Sequence, residues 1–142
     1  MADEILVALF RARAEAVAAR VTEAVDEADA ERQIAEDRAR AETGVARAAR
    51  GIASTGTCVV ETDDEETRLQ TMLPEISVLL LRKEDIVPDL PDIAPYLRAR
   101  QADGRVSYTS FITGPSRTAD IERVGAIGVH GPLELHVILL ED

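Results

Sequence analysis

One cysteine, one lysine and no tryptophan occur in this chain of 142 residues, and its only aromatic side chains are Phe10, Tyr96, Tyr108 and Phe111. A lone Cys58 rules out an intrachain disulfide and a four-thiolate iron–sulfur cluster held by this chain. Cys58 stands in the apolar run Thr57-Cys58-Val59-Val60, where a small buried hydrophobe is expected rather than a nucleophile. With so few rings, Val, Leu, Ile and Ala must fill the core. No apolar run reaches membrane-spanning length, and Met1-Ala2-Asp3-Glu4 lacks the positive start of a signal peptide. The chain therefore reads as soluble and cytoplasmic. Its two histidines, His130 and His136, lack the spacing of a helical metal pair, and no acidic or histidine cluster completes a site, so no metal is expected. There is no GxGxxG after a strand and no Walker loop, so no nucleotide cofactor is expected either.

Cations are also scarce. The formal charge is −11, and no Lys/Arg stripe is free of neighbouring acids, which argues against nucleic acid as a partner. Lys83 is the only lysine; every other basic residue apart from the histidines is arginine. A GC-rich genome produces that bias, and an acid-rich, lysine-poor surface also suits a halophile's salty cytoplasm, where screening suppresses carboxylate repulsion. Nearly half of the residues are apolar, enough for one domain with a continuous core.

Glycine is absent before Gly44 and proline before Pro74, and the opening stretch is rich in Ala, Glu and Arg. Residues 1–42 thus read as a helical segment, one long helix or two joined near Asp26 to Ala30. Its stripe of Ile5, Leu9, Phe10, Val17, Val21, Val25 and Ala28 suits a sheet or another subunit, as in a homo-oligomer, and periodicity does not choose between these. From residue 43 the pattern changes. Thr57 to Glu61, Ile76 to Leu81 and Glu134 to Leu140 read as strands, Ile93 to Ala102 as a helix, and Tyr108 to Thr113 as strand or loop. The acidic run Asp63-Asp64-Glu65-Glu66 reads as a solvated helix start. Apolar strands alternating with helices predict an α/β fold with a mostly parallel sheet and flanking helices, one structural domain whose α/β part spans 43–142.

Two loops offer ligand-binding chemistry. Ser54-Thr55-Gly56-Thr57 places three hydroxyls around a glycine. In Gly114-Pro115-Ser116-Arg117-Thr118-Ala119-Asp120, Pro115 pre-sets a turn, Ser116 or Thr118 can cap a helix whose amides face an anion, and Arg117 adds a planar fork matched to carboxylate or phosphate. The plain alternative pairs Arg117 with Asp120 or Glu122. His130, in Val129-His130-Gly131-Pro132, is the candidate proton carrier, whereas His136 lies in an apolar strand and reads as a satisfied core residue.

These blocks resemble the LUD (lactate-utilisation) family, and within it the LutC-type branch. The likeness runs from about Thr43 to the C-terminus through Gly51-Ile52-Ala53-Ser54-Thr55-Gly56-Thr57, Ile86-Val87-Pro88-Asp89-Leu90, Phe111 to Glu122, and Gly128 to Val137. The resemblance implies a NagB/RpiA/CoA-transferase-like α/β fold. It also implies a subunit of an iron–sulfur, non-flavin system oxidising L-lactate to pyruvate. Any redox centre would then lie on an iron–sulfur partner subunit. Two departures stand out. The family typically has Glu at the position of Ser54, and LutC-type proteins carry more α/β structure before this block.

The leading expectation is a subunit binding a small carboxylate or phosphate-like anion at Thr55, Gly56, Thr57, Gly114, Ser116, Arg117, Thr118 and Asp120, with His130 beside it. The alternatives are a non-catalytic assembly module, a truncated paralogue without its own active site, and a stand-alone transferase or isomerase. Whether the chain turns over a substrate by itself is left open by the sequence.

Overall fold

Asp3 starts the first helix, its carboxylate accepting from the amides of Ile5 and Leu6 at 2.9 and 3.2 Å. This computed structural model describes residues 2–62, 74–102, 108–115 and 133–141. The described elements in chain order are α1 (Glu4–Ala16), β1 (Arg20–Ala24), α2 (Glu27–Arg40), β2 (Thr43–Arg47), β3 (Arg50–Ile52), β4 (Thr57–Thr62), β5 (Ile76–Arg82), β6 (Ile86–Val87), α3 (Ala94–Ala102), β7 (Tyr108–Ile112) and β8 (Glu134–Leu140). No described helix is long and apolar enough to cross a membrane.

The strands form two sheets. Sheet A has the order β1-β8-β5-β2 and is parallel throughout. Sheet B has the order β6-β3-β4-β7 and is mixed, with antiparallel β3–β4 and β4–β7 pairs. The chain passes from one to the other within two residues: the Ala48 amide donates to Leu80 of sheet A and the Ala49 amide to Val59 of sheet B.

Because strand side chains alternate, β5 and β8 serve two cores at once. Leu79, Leu81, Leu135, Val137 and Leu139 point toward Phe10 and Ala14 of α1 and toward Cys58 and Val60 of sheet B. Val78, Leu80, Ile138 and Leu140 point the other way, onto Ala30 and Ile34 of α2. The continuous apolar runs at 76–81 and 134–140 are thus covered on both faces.

The helical reading of residues 1–42 holds for α1 and α2 and fails between them, where Arg20–Ala24 is a strand of sheet A. The reason is the missing glycine. The chain leaves α1 through Ala18 at φ 75°, a left-handed position usually given to glycine, so no breaker marks the helix end. A helix does begin near Asp26, whose carboxylate caps α2 by accepting from the Asp29 amide at 2.9 Å, but it follows β1 rather than joining α1. The acidic run at 63–66 lies outside the described residues.

Candidate functional site

The antiparallel pairing of β4 and β7 brings the first predicted loop, residues 54–57, beside Thr113 and Gly114, where the second begins. Cys58 lies opposite Ile112, so the turn entering β4 meets the turn leaving β7. Thr55 Oγ1 lies 2.7 Å from Thr57 Oγ1, which lies 2.7 Å from Thr113 Oγ1. Thr57 is buried, while Thr55 and Thr113 at the two ends of this chain are exposed. Three hydroxyls carry three protons, and the chain uses two of them, so one donor remains for a ligand.

Gly56 and Gly114 belong to the same place for a steric reason. Both have positive φ, 68° and 69°. A Cβ on Gly56 would come within 2.3 Å of the Ala14 amide nitrogen, and one on Gly114 within 2.3 Å of the Val17 carbonyl oxygen. Both turns are thus pressed against the end of α1, and packing alone demands glycine there. Ser54 is drawn the other way. Its hydroxyl donates to Asp89 at 2.7 Å and its amide to the Pro88 carbonyl, which ties residues 54–57 to the segment 86–89. That hydrogen bond and the one from the Leu90 amide hold the Asp89 carboxyl below the ordinary range. Ser116, Arg117, Thr118, Asp120 and His130 lie outside the described residues.

A second polar feature lies at the carboxyl ends of the sheet A strands, where α/β sheets commonly bind ligands. A cleft of about 830 Å³ opens there between α1 and the ends of β1, β5 and β8, lined among others by Arg11, Glu23, Lys83 and Glu141. Lys83 Nζ is 2.6 Å from both Glu23 and Glu141. Hydrogen bonds to Glu141 and Glu23 raise its pKa. Lys83 is therefore a fixed cation that joins two strand ends, rather than an amine free to react.

A third feature was not foreseen. Arg20, Asp37, Arg40, Glu134 and His136 form a charged network between α2 and the starts of β1 and β8. His136 and Asp37 are 1% and 2% exposed, and His136 Nδ1 is 2.6 Å from Asp37 Oδ2. The core reading of His136 is correct, since both ring nitrogens have partners. Burial pushes the Asp37 carboxyl up, but the bonds from His136 and Arg20 outweigh it and hold it below the ordinary range. Burial pulls the imidazole pKa down against the opposing carboxylate of Asp37. Thr22, His136 and Asp37 share the order of a hydrolase triad. The Thr22 hydroxyl is nevertheless 2.5 Å from Gln33 Oε1, and the cleft at the carboxyl ends is not lined by these residues. Among the described residues no group of three or more His, Cys, Asp or Glu could hold a metal ion.

With this geometry in hand, comparison with known proteins is decisive. The LUD-domain model matches residues 2–140. The chain belongs to the LUD-domain family. The match includes α1, β1 and α2, so it begins well before residue 43. Lactate utilization protein C of Halalkalibacterium halodurans is 32% identical over 119 residues, 82% of this chain and 51% of that protein. Lactate utilization protein C of Geobacillus thermodenitrificans is 34% identical over 105 residues, covering 72% and 44%. The Escherichia coli protein YkgG is 36% identical over 105 residues, covering 72% and 46%. The chain spans about half the length of these curated relatives. A crystal structure of a DUF162 family protein from Deinococcus radiodurans shares the fold, with a TM-score of 0.68 at 19% identity over 96% of this chain and 97% of that one. The protein is a LutC-type member of the LUD family, with the expected α/β fold.

Proposed function

We propose that this LUD-family chain is a component of a lactate-oxidising system and binds a small carboxylate or other anion where residues 55–57 meet Thr113 and Gly114. The observation that carries this reading is the hydroxyl chain Thr55–Thr57–Thr113, which joins both turns and leaves one donor over. Arg117 follows Thr113 by four residues and supplies the charge the hydroxyls lack; His130 would carry the proton. Oxidation of lactate to pyruvate removes two electrons and two protons. The family resemblance implies that the acceptor sits on an iron–sulfur partner, and a single thiol, too few for a four-thiolate cluster, agrees with that.

Thermal shift with lactate, pyruvate, phosphate and coenzyme A tests the site. At least one of them raises the melting temperature, and Arg117→Ala and Thr57→Val abolish the rise. No response to any of the four, or an unchanged response in Arg117→Ala, refutes the proposal.

A second reading, an assembly module, has one observation in its favour. Ile5 on the acidic first turn of α1 is 80% exposed. Removing residues 1–42 would not test it, since α1 and β1 belong to the core. Ile5→Glu keeps the fold, and on this reading it releases the partner in a pull-down while anion binding stays intact.

A further inference from the structure

The protons in the buried network can be counted from its heavy atoms. Asp37 is an ionised carboxylate with Arg20 at 2.6 Å and Arg40 at 3.3 Å, so it only accepts, and His136 Nδ1 carries a proton toward it. The state of Nε2 follows from the residues beyond it. Gln33 donates its Nε2 to the Glu23 carbonyl at 2.9 Å, which turns its Oε1 toward Thr22, 2.5 Å away. An amide oxygen has no proton to give, so the Thr22 hydroxyl donates to Gln33. The Thr22 oxygen then offers only lone pairs to the ring 2.7 Å away, and Nε2 must donate as well.

We infer that Asp37, His136, Thr22 and Gln33 form a proton switch seen in its loaded form, with a charged ring and every bond of the chain made. A neutral ring cannot keep all of these bonds. When Nε2 gives its proton to solvent, the single hydroxyl proton of Thr22 serves either His136 or Gln33, not both. The hydroxyl turns to the bare Nε2, and α2 loses the bond that Gln33 accepts from β1.

The groups around the ring act in both directions, so the balance between the two forms can be moved from either side. From α2, Asp37 favours the charged ring, with Arg40 paired to the same carboxylate; from β1, Arg20 opposes it. From β8 itself, Glu134 favours it, and from β5 the residue in register is Val78, which does not titrate. Burial works against the charge, and the hydrogen-bond chain works for it.

Ring-nitrogen NMR shifts of histidine-labelled protein, followed from about pH 5 to about pH 8, read the switch directly. His130→Gln assigns the two histidines. Expected are two protonated nitrogens on His136 at the acid end and loss from Nε2 alone at the other. Gln33→Met removes an acceptor that the ring does not touch, and it should lower the proton affinity of His136 roughly three- to tenfold. Gln33→Glu should raise it by at least as much, and Thr22→Val, which cuts the chain at its middle, should lower it. A ring that holds one state throughout, that loses the Nδ1 proton instead, or whose midpoint ignores all three substitutions overturns the proposal.

Discussion

Arg20 and Glu134 are 114 residues apart in the chain, yet Arg20 Nε and Glu134 Oε2 lie 2.8 Å apart at the starts of neighbouring parallel strands. Arg40 holds the other oxygen of the same carboxylate at 2.7 Å. The bond from Arg40 and then those from Arg20 bring the Glu134 pKa from 4.5 down to about 2. A carboxylate depressed by folding adds stability above its unfolded value and loses it as pH falls toward the folded one. The wild-type protein should therefore lose stability between pH 4.5 and about 2, and part of that loss should vanish in Glu134→Gln. At neutral pH, Glu134→Gln should cost about 1 kcal/mol in urea unfolding, less than the full shift implies because the group is partly solvated. Equal acid sensitivity in the two proteins would show that the pair contributes nothing.

Gly56→Ala and Gly114→Ala should each cost at least about 2 kcal/mol, because strain at positive φ adds to a collision with backbone that cannot move aside. Gly51→Ala is the control. Its nearest obstacle, at 2.7 Å, is the Leu81 Cδ2 methyl, a side-chain atom that can rotate away. Urea midpoints of the three variants should rank Gly51→Ala as the mildest. If it proves the worst, the account of the two turns is wrong.

Much of this fold could be read from hydropathy. The runs at 76–81 and 134–140 are apolar enough to require cover on both faces, and both became central strands of sheet A. Strand β1 could not be read, because Arg20-Val21-Thr22-Glu23-Ala24 alternates weakly and follows a helix that ends without glycine. Strands β2 and β3 were hidden for a related reason: Gly44, Ala46 and Gly51 give little side-chain signal, and pairing with β5 and β4 decides their conformation. Of the candidate site, the meeting of residues 54–57 with 113–114 was legible because both were hydroxyl- and glycine-rich turns flanking strands. The network at Arg20, Asp37 and Glu134 was not. Its members come from three distant elements, and no local spacing records that parallel pairing will bring them together.

Thr57→Val tests the paired turns for stability as well as for ligand. The substitution keeps volume and branching but removes the middle hydroxyl, leaving Thr55 and Thr113 without their shared partner. A loss of about 1–2 kcal/mol is expected, because Thr57 is buried and its neighbours can turn to water. Thr55→Val, at an exposed end, should cost less than about 0.5 kcal/mol. If both are neutral in urea unfolding, the hydroxyl chain holds nothing together.

Cys58 offers the most direct test of the core between sheet A, α1 and sheet B. Its side chain is 1% exposed in the interior shared by sheet B, α1 and sheet A. Burial raises its thiol pKa to about 12, so almost no thiolate forms at mildly alkaline pH. Thiol reagents attack the thiolate and need access, and both are withheld by the same packing. Labelling of the native protein should therefore run at least about 100-fold slower than in denaturant and should speed up only as the protein unfolds. Because there is one cysteine, the signal has one source. Rapid native labelling would mean that sheet B and α1 separate readily, and with them the two turns that meet at Thr57 and Thr113.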